Sequence, residues 1–424
     1  MTVAVGARDR SKAIRSASPD PHFGGFESLR AVAATMVLLH HAGSLTGGRL
    51  GRLSDLVAVF DGGVAVFFVL SGFLLYRPMV RRSIEGVEQP RWRDFWWRRV
   101  LRIVPAYWLA LSVLWAVGAF DLGEQWWRYY FFLQIYRVDT ILGGIVPAWS
   151  LCTELSFYLL LPLFAAAVAR AAAGLPAERR RVLHLAACAT LWASGFAFRR
   201  LFDTVWSGRR GLAFNWLPTN LDLFAGGMLL AVLSVVWEPG SDRRDRLDRV
   251  ATPVWPWWVA AGALFAWYAF RVGPTTFEAG YSGWYWQQRQ LVLAVFTVLV
   301  LVPMVFGDQT VGLARRAWSY RPIVWLGTVS YGLYLWHLDL MELAVEHGWM
   351  RIEGAATGAV WRAPSRLAEA DWYLRFDPYV TLAVLAGIGM LAGLACAATS
   401  WYGLERPLQR FRGALRSGRS PVRS

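Results

Sequence analysis

Stretches long enough to cross a bilayer recur along this chain, and that recurrence limits the fold more than any single residue does. They lie at roughly 28–46, 57–76, 103–120, 147–169, 182–198, 218–236, 254–271, 289–306, 321–345 and 378–404. A bilayer admits such segments only as helices or closed barrels, because their backbone groups find no water there. Of 424 residues, 56% are hydrophobic and 25 are Trp, which fits a polytopic membrane protein rather than one or two soluble domains. The expected fold class is therefore all-α, with about ten transmembrane helices and both termini cytoplasmic. Residues 1–27 read as a cytoplasmic tail, 28–404 as the transmembrane domain and 405–424 as a basic cytoplasmic tail. No small-residue cleavage site precedes the first span, so no removable signal is expected.

Charge tests this topology independently. With the N-terminus inside, the inner segments hold about twice as many of the 44 Lys and Arg as the outer ones, as the positive-inside rule requires. The formal charge of +15 then belongs with topology and anionic membrane lipid. No folded basic domain remains for nucleic acid, and none is expected as a partner. The expected location is the plasma membrane. Inner loop 77–102 mixes Arg and Trp, suiting an amphipathic surface segment, while 237–250 reads as a solvated connector. Outer loops 199–217, 272–288 and 346–377 are rich in aromatic residues, such as Tyr281, Trp284, Tyr285 and Trp286. They suit an interfacial belt or a surface on which a sugar or polycyclic acceptor stacks. Cys152, Cys188 and Cys396 all fall within spans and offer neither a disulfide framework nor metal-ligand spacing. No metal is expected. Cys152 reads as a buried hydrophobe sooner than as a nucleophile.

Ionisable groups at membrane depth are costly and usually serve a task. The first span holds His40 and His41, with Arg30 eleven residues earlier. At roughly 100° per residue, His41 returns to within about 20° of Arg30, whereas His40 lies about 80° away. Helix geometry selects His41 as Arg30's partner. Alternatively, Arg30 anchors the helix end and His41 bridges helices. In the fourth span, Glu154 has Ser150 and Tyr158 one turn away on its own face, within hydrogen-bonding reach. Measured from the expected outer ends, Glu154 is about 10 Å deep, His41 about 7 Å and His337 of the ninth span roughly 12 Å. A carboxylate and an imidazole at one level make a base and its orienter; a purely structural ion pair to Glu154 is the other reading. Ser71 and Gly72 permit close helix packing. Arg98, Arg99 and Arg102 open the third span either as inner anchors or as a cradle for an anionic ligand.

Together, and in this order, these segments resemble the acyltransferase-3 family of membrane acyltransferases, over most of residues 24–410. The resemblance rests on the Arg30–His41 spacing, FFVLSGF at Phe67–Phe73, RRVLRIVPAYW at Arg98–Trp108, WSLCTELSFY at Trp149–Tyr158, SYGLYLWH at Ser330–His337 and LERP at Leu404–Pro407. It implies transfer of an acyl group, typically acetyl from acetyl-CoA as co-substrate with no permanently bound cofactor, to an acceptor hydroxyl. His41 resembles the catalytic histidine, Arg30 its paired arginine and Glu154 the essential carboxylate. Arg98, Arg99 and Arg102, with Ser71 and Tyr107, resemble the acyl-CoA-binding set, and Ser150, Tyr158, Tyr331 and His337 the acceptor or support set. The chain departs from the family in Phe26-Glu27-Ser28-Leu29 before Arg30, in Ala65 before the paired phenylalanines, and in Thr153, Glu154 and Ser156 where paired acids and glutamine are commoner.

The expected function is thus membrane O-acyl transfer from cytoplasmic acyl-CoA to a glycan, glycolipid or glycosylated natural product. The alternative is a transporter of an acylated or acidic small molecule, with His41, Glu154 and His337 as a proton relay. Against the transporter, no inverted repeat is evident.

Overall fold

A computed structural model describes residues 25–237, 241–272, 283–346 and 377–411. Among the described residues there is no strand. Ten helices of 14 residues or more follow the order of the expected spans: α1 Gly25–Ser44, α2 Gly63–Glu85, α3 Trp92–Ala116, α4 Trp149–Ala172, α5 Ala177–Thr204, α6 Leu217–Val236, α7 Val254–Trp267, α8 Gly283–Val305, α9 Arg321–Glu346 and α10 Pro378–Ser400. Among the described residues, seven helical segments are long and apolar enough to cross a membrane, those holding α2, α3, α4, α5, α6, α8 and α10. The exceptions have physical reasons. α7 spans only 14 residues. α1 and α9 carry Glu27, Arg30, His40 and His41, and Arg321, His337, Asp339 and Glu342. These two helices, whose polar groups lower their hydropathy, pack together at the candidate site.

α2 crosses α6 with the two backbones in contact. A Cβ added at Gly72 would lie 2.0 Å from the Phe224 carbonyl oxygen, and one at Gly227 would lie 1.9 Å from that of Val69. Only glycine at both positions lets the two backbones touch, which is how membrane helices gain packing contact where lipid removes the hydrophobic drive. Buried polar bridges clasp α5, α6 and α8: Arg199 donates to Asp222 at 2.8 Å, to Gln287 at 2.8 Å and to the Thr219 carbonyl at 2.7 Å. Gln290 donates to Asn220 at 2.9 Å. At the other end of the bundle, the buried Arg315 donates to the carbonyls of Ala251 and Thr252 and of Pro303 and Phe306, satisfying two helix ends at once.

Three connections differ from expectation. Residues 77–102 form no long surface segment: α2 continues to Glu85 and α3 already starts at Trp92. Their Arg and Trp side chains are compatible with helix and reach the interface from it. The connector at 237–250 contains a helix, Asp242–Ala251, whose first turn is capped by the Ser241 hydroxyl. The α3–α4 connection folds back beside both helices instead of looping free. Tyr107 and Trp108 donate to the carbonyls of Tyr129 and Tyr130 at 3.0 and 2.8 Å, and Trp216 donates to that of Ile135 at 2.8 Å. Tyr281 and the 346–377 loop, apart from its first and last residues, lie outside the described residues. Trp286 is fully buried while Trp284 is exposed, so these two do not share one stacking surface.

Candidate active site

α1 and α9 run parallel. The first turn of α1 meets the second turn of α9 where the Glu27 carbonyl lies against Gly327, and His41 near the end of α1 meets His337 farther along α9. His41 Nδ1 lies 2.8 Å from His337 Nε2. His337 Nδ1 lies 3.1 Å from the Leu333 carbonyl oxygen, one turn earlier. A carbonyl only accepts, so the His337 proton sits on Nδ1 and its Nε2 offers a lone pair. The 2.8 Å contact then requires the proton on His41 Nδ1, which leaves His41 Nε2 as the basic nitrogen. The hydrogen-bond network assigns this tautomer pair. His40 takes no part: its Nδ1 donates to the Ala58 carbonyl at 2.9 Å, fastening α1 to the segment before α2.

A cavity of about 330 Å³ opens below this pair, toward the N-terminal end of α1. Arg30, Arg99 and Arg102 line it together with Glu27, Glu154, Ser71, Tyr158, Ser150, Tyr331 and Tyr334. Glu154 accepts from the hydroxyls of Ser71 and Tyr158, so α2 and α4 hold the carboxylate from two sides. The Arg99 guanidinium lies 5.8 Å from the Tyr158 ring centre and 5.7 Å from that of Phe95, and its buried Nε has no hydrogen-bond partner among the described residues. At the upper wall, the Tyr334 hydroxyl sits 2.8 Å from Ser150 Oγ and 2.9 Å from the Pro147 carbonyl oxygen. Tyr334 is one turn before His337, with ring centres 6.0 Å apart. Its ring stands between the cavity and the histidines.

The candidates therefore divide. Ser71, Arg99, Arg102, Ser150, Glu154, Tyr158 and Tyr331 converge on the cavity. His41 and His337 pair beyond it. Arg98 does not line the cavity, and neither does Tyr107, which is fully buried and ties down the α3–α4 connection. Arg30 is not the partner of His41: it pairs with Glu27 at 2.5 Å, since eleven residues of shared helical face still mean about 16 Å of rise. Nor is Glu154 level with His41. Its donor Ser71 lies two residues from Phe73, whose ring meets that of Phe26, in the first turn of α1, at 5.4 Å between centres. Ser150 bonds Tyr334 rather than Glu154.

Three residues at the site were not singled out from the sequence. Glu27, read only as a departure before Arg30, neutralises that arginine; an acid three residues before an arginine in a helix was the available signal. Tyr334 stood inside a quoted motif without a role. Glu405, in the closing LERP, is buried, accepts from Ser400 at 3.0 Å and lies within electrostatic range of Arg102.

The fold and this site define a helical membrane-type protein with a polar, arginine-lined cavity beneath a histidine pair. The acyltransferase domain model matches residues 23–401, and the chain belongs to that family. Among curated relatives, the putative peptidoglycan O-acetyltransferase YrhL of Bacillus subtilis is 24% identical over 76% of this chain and 49% of its own length. The peptidoglycan O-acetyltransferase OatA of Listeria monocytogenes is 23% identical over 75% of this chain and 49% of its own length. Nodulation protein 10 of Rhizobium leguminosarum bv. viciae is 24% identical over 95% of this chain and 97% of its own. The chain thus spans about half the length of the first two relatives. No solved structure matches it.

Proposed function

We propose that this chain moves an acetyl group from acetyl-CoA, entering from the cytoplasmic side, to a hydroxyl of a cell-envelope saccharide on the far side of the plasma membrane. The observation that carries the reading is the His41–His337 contact, because it leaves His41 Nε2 as a lone pair held by a second ring. An alcohol is a poor nucleophile at neutral pH, so acyl transfer to one needs a base placed to take its proton.

In the reaction, His41 Nε2 takes the acceptor proton as the oxygen attacks the thioester carbonyl. The new C–O bond forms, the C–S bond breaks, and the CoA sulfur leaves with a proton returned from His41. Arg99 and Arg102 suit the donor's phosphates by their fork geometry, and the partnerless Arg99 Nε supports that assignment. At about 330 Å³ the cavity is at the small end of ligand pockets. It admits the slender thioester arm while the nucleotide stays at its mouth. Movement of the Tyr334 ring would bring the thioester to His41. Glu154, held by Ser71 and Tyr158, positions the arm and offsets the arginines.

The test uses the full chain in proteoliposomes with isotopically labelled acetyl-CoA inside and a soluble β-1,4-linked N-acetylglucosamine tetramer outside. Labelled ester on the saccharide, with matching release of CoA, is expected. Saccharide or acid flux without CoA release would overturn the proposal in favour of a transporter.

A further inference from the structure

A groove of about 610 Å³ lies away from the arginine cavity, at the end of the bundle where α4 and α6 begin. Two rings, Tyr136 and Trp216, line it with centres 5.9 Å apart. Both are fixed by their polar edges: the Tyr136 hydroxyl is 3.1 Å from Ser156 Oγ, and Trp216 Nε1 donates to the Ile135 carbonyl at 2.8 Å. Beside them Arg137 grips Asp139 with two hydrogen bonds, at 2.8 and 3.0 Å. Gln125 adds a third to that carboxylate, and both members of the pair stay about half exposed. The Arg137 guanidinium, with Gln125, holds the Asp139 carboxyl well below its usual range, so it is an acceptor at any working pH. The exposed Arg209 contributes from the α5–α6 connection.

Membrane lipid does not account for this arrangement. An aromatic belt presents rings to headgroups, but it does not need two rings locked by their polar edges next to a planar carboxylate–guanidinium array. Fixed ring faces flanked by planar donors and acceptors match a sugar, which has C–H faces and adjacent hydroxyls around its rim. The groove also leads to the chemistry. From Asp139 the chain runs to Val146, which packs against the α1–α9 cluster containing Leu38 and Leu333. Next comes Pro147, whose carbonyl holds Tyr334.

We infer that the groove between Tyr136, Trp216, the Arg137–Asp139 pair and Arg209 is the binding site for the acceptor saccharide. This deepens the acyl-transfer reading above and rests on it for the word acceptor. The site grips one sugar while a neighbouring unit of the same chain reaches His41.

The test measures binding of the N-acetylglucosamine tetramer to the full chain in nanodiscs by saturation-transfer NMR and calorimetry, alongside acetyl transfer. Tyr136→Ala, Asp139→Ala and Arg209→Ala are each expected to weaken binding roughly tenfold and to raise the acceptor KM in step, with the acetyl-CoA KM unchanged. Tyr136→Phe, which keeps the ring but frees its edge from Ser156, should lose less binding than Tyr136→Ala, and His41→Ala should bind as the unaltered chain does. Asp139 and Arg209 are surface positions, so their variants keep the test valid if Tyr136→Ala fails to fold. Absent binding, or equal binding by all three alanine variants, overturns the inference. Transfer that persists with an unchanged acceptor KM in those variants removes the groove and leaves the function standing. Binding without any transfer removes the function and leaves a saccharide site.

Discussion

Replacing His337 tests the histidine pair most sharply. In His337→Leu, His41 Nδ1–H loses the acceptor now 2.8 Å away in a site where His337 is about 1% exposed. An abandoned buried donor costs about 1–3 kcal/mol. At 1.36 kcal/mol per tenfold, that is a fall in kcat of roughly 5- to 150-fold. The loss should be in kcat, because the contact orients the base and does not hold either substrate. His337→Gln is the decisive companion. Its amide oxygen can accept from His41 Nδ1 as the imidazole nitrogen does, so it should restore kcat to within about fivefold of the unaltered chain, by the same hydrogen-bond scale. Labelled acetyl transfer in proteoliposomes, at matched protein levels, reads both variants. Equal and severe loss in Leu and Gln variants, or loss confined to a KM, would refute the tautomer argument.

Other outcomes follow from the same geometry. Arg102→Ala should raise the apparent acetyl-CoA KM roughly tenfold or more, as loss of a charged hydrogen bond implies, and leave the acceptor KM near its original value; steady-state kinetics with each substrate varied would settle it. Asp222→Ala should lower unfolding stability by about 3–5 kcal/mol, because it strands the buried Arg199 guanidinium; a depressed melting temperature in detergent would report it. Gly227→Val should prevent α2 and α6 from closing, since even a Cβ would fall 1.9 Å from a backbone oxygen, and size-exclusion of the expressed variant should show aggregate rather than a single peak.

Much of this was legible in the sequence for reasons of period and order. A helix lies in each expected span, and among the described residues seven helical segments are long and apolar enough to cross a membrane, since apolar runs at membrane depth have no other way to satisfy their backbone. His337 was placed near the level of His41 by counting residues from the expected span ends, and the two rings meet. Counting failed for Glu154. Its depth was measured from the start of α4 as though all outer ends lay in one plane, whereas the pairing with Ser71 sets Glu154 beside the first turn of α1. Arg30 and His41 show a second limit: a shared face says nothing of separation along the axis. The path of the α3–α4 connection depends on backbone carbonyls taken up by Tyr107 and Trp108 of α3 and by Trp216, which lies beyond α4 and α5 in sequence, so no local pattern announced it. Nor could the sequence tell which nitrogen of His41 is basic, because that follows from a carbonyl on another helix.

The most direct measurement compares the intact chain with His41→Ala, in the same membranes and at the same abundance, for movement of labelled acetyl from acetyl-CoA onto a saccharide hydroxyl. The account predicts transfer by the intact chain and a fall of about a hundredfold or more in the variant, the range for a lost general base, with saccharide binding retained. Undiminished transfer by His41→Ala would contradict it.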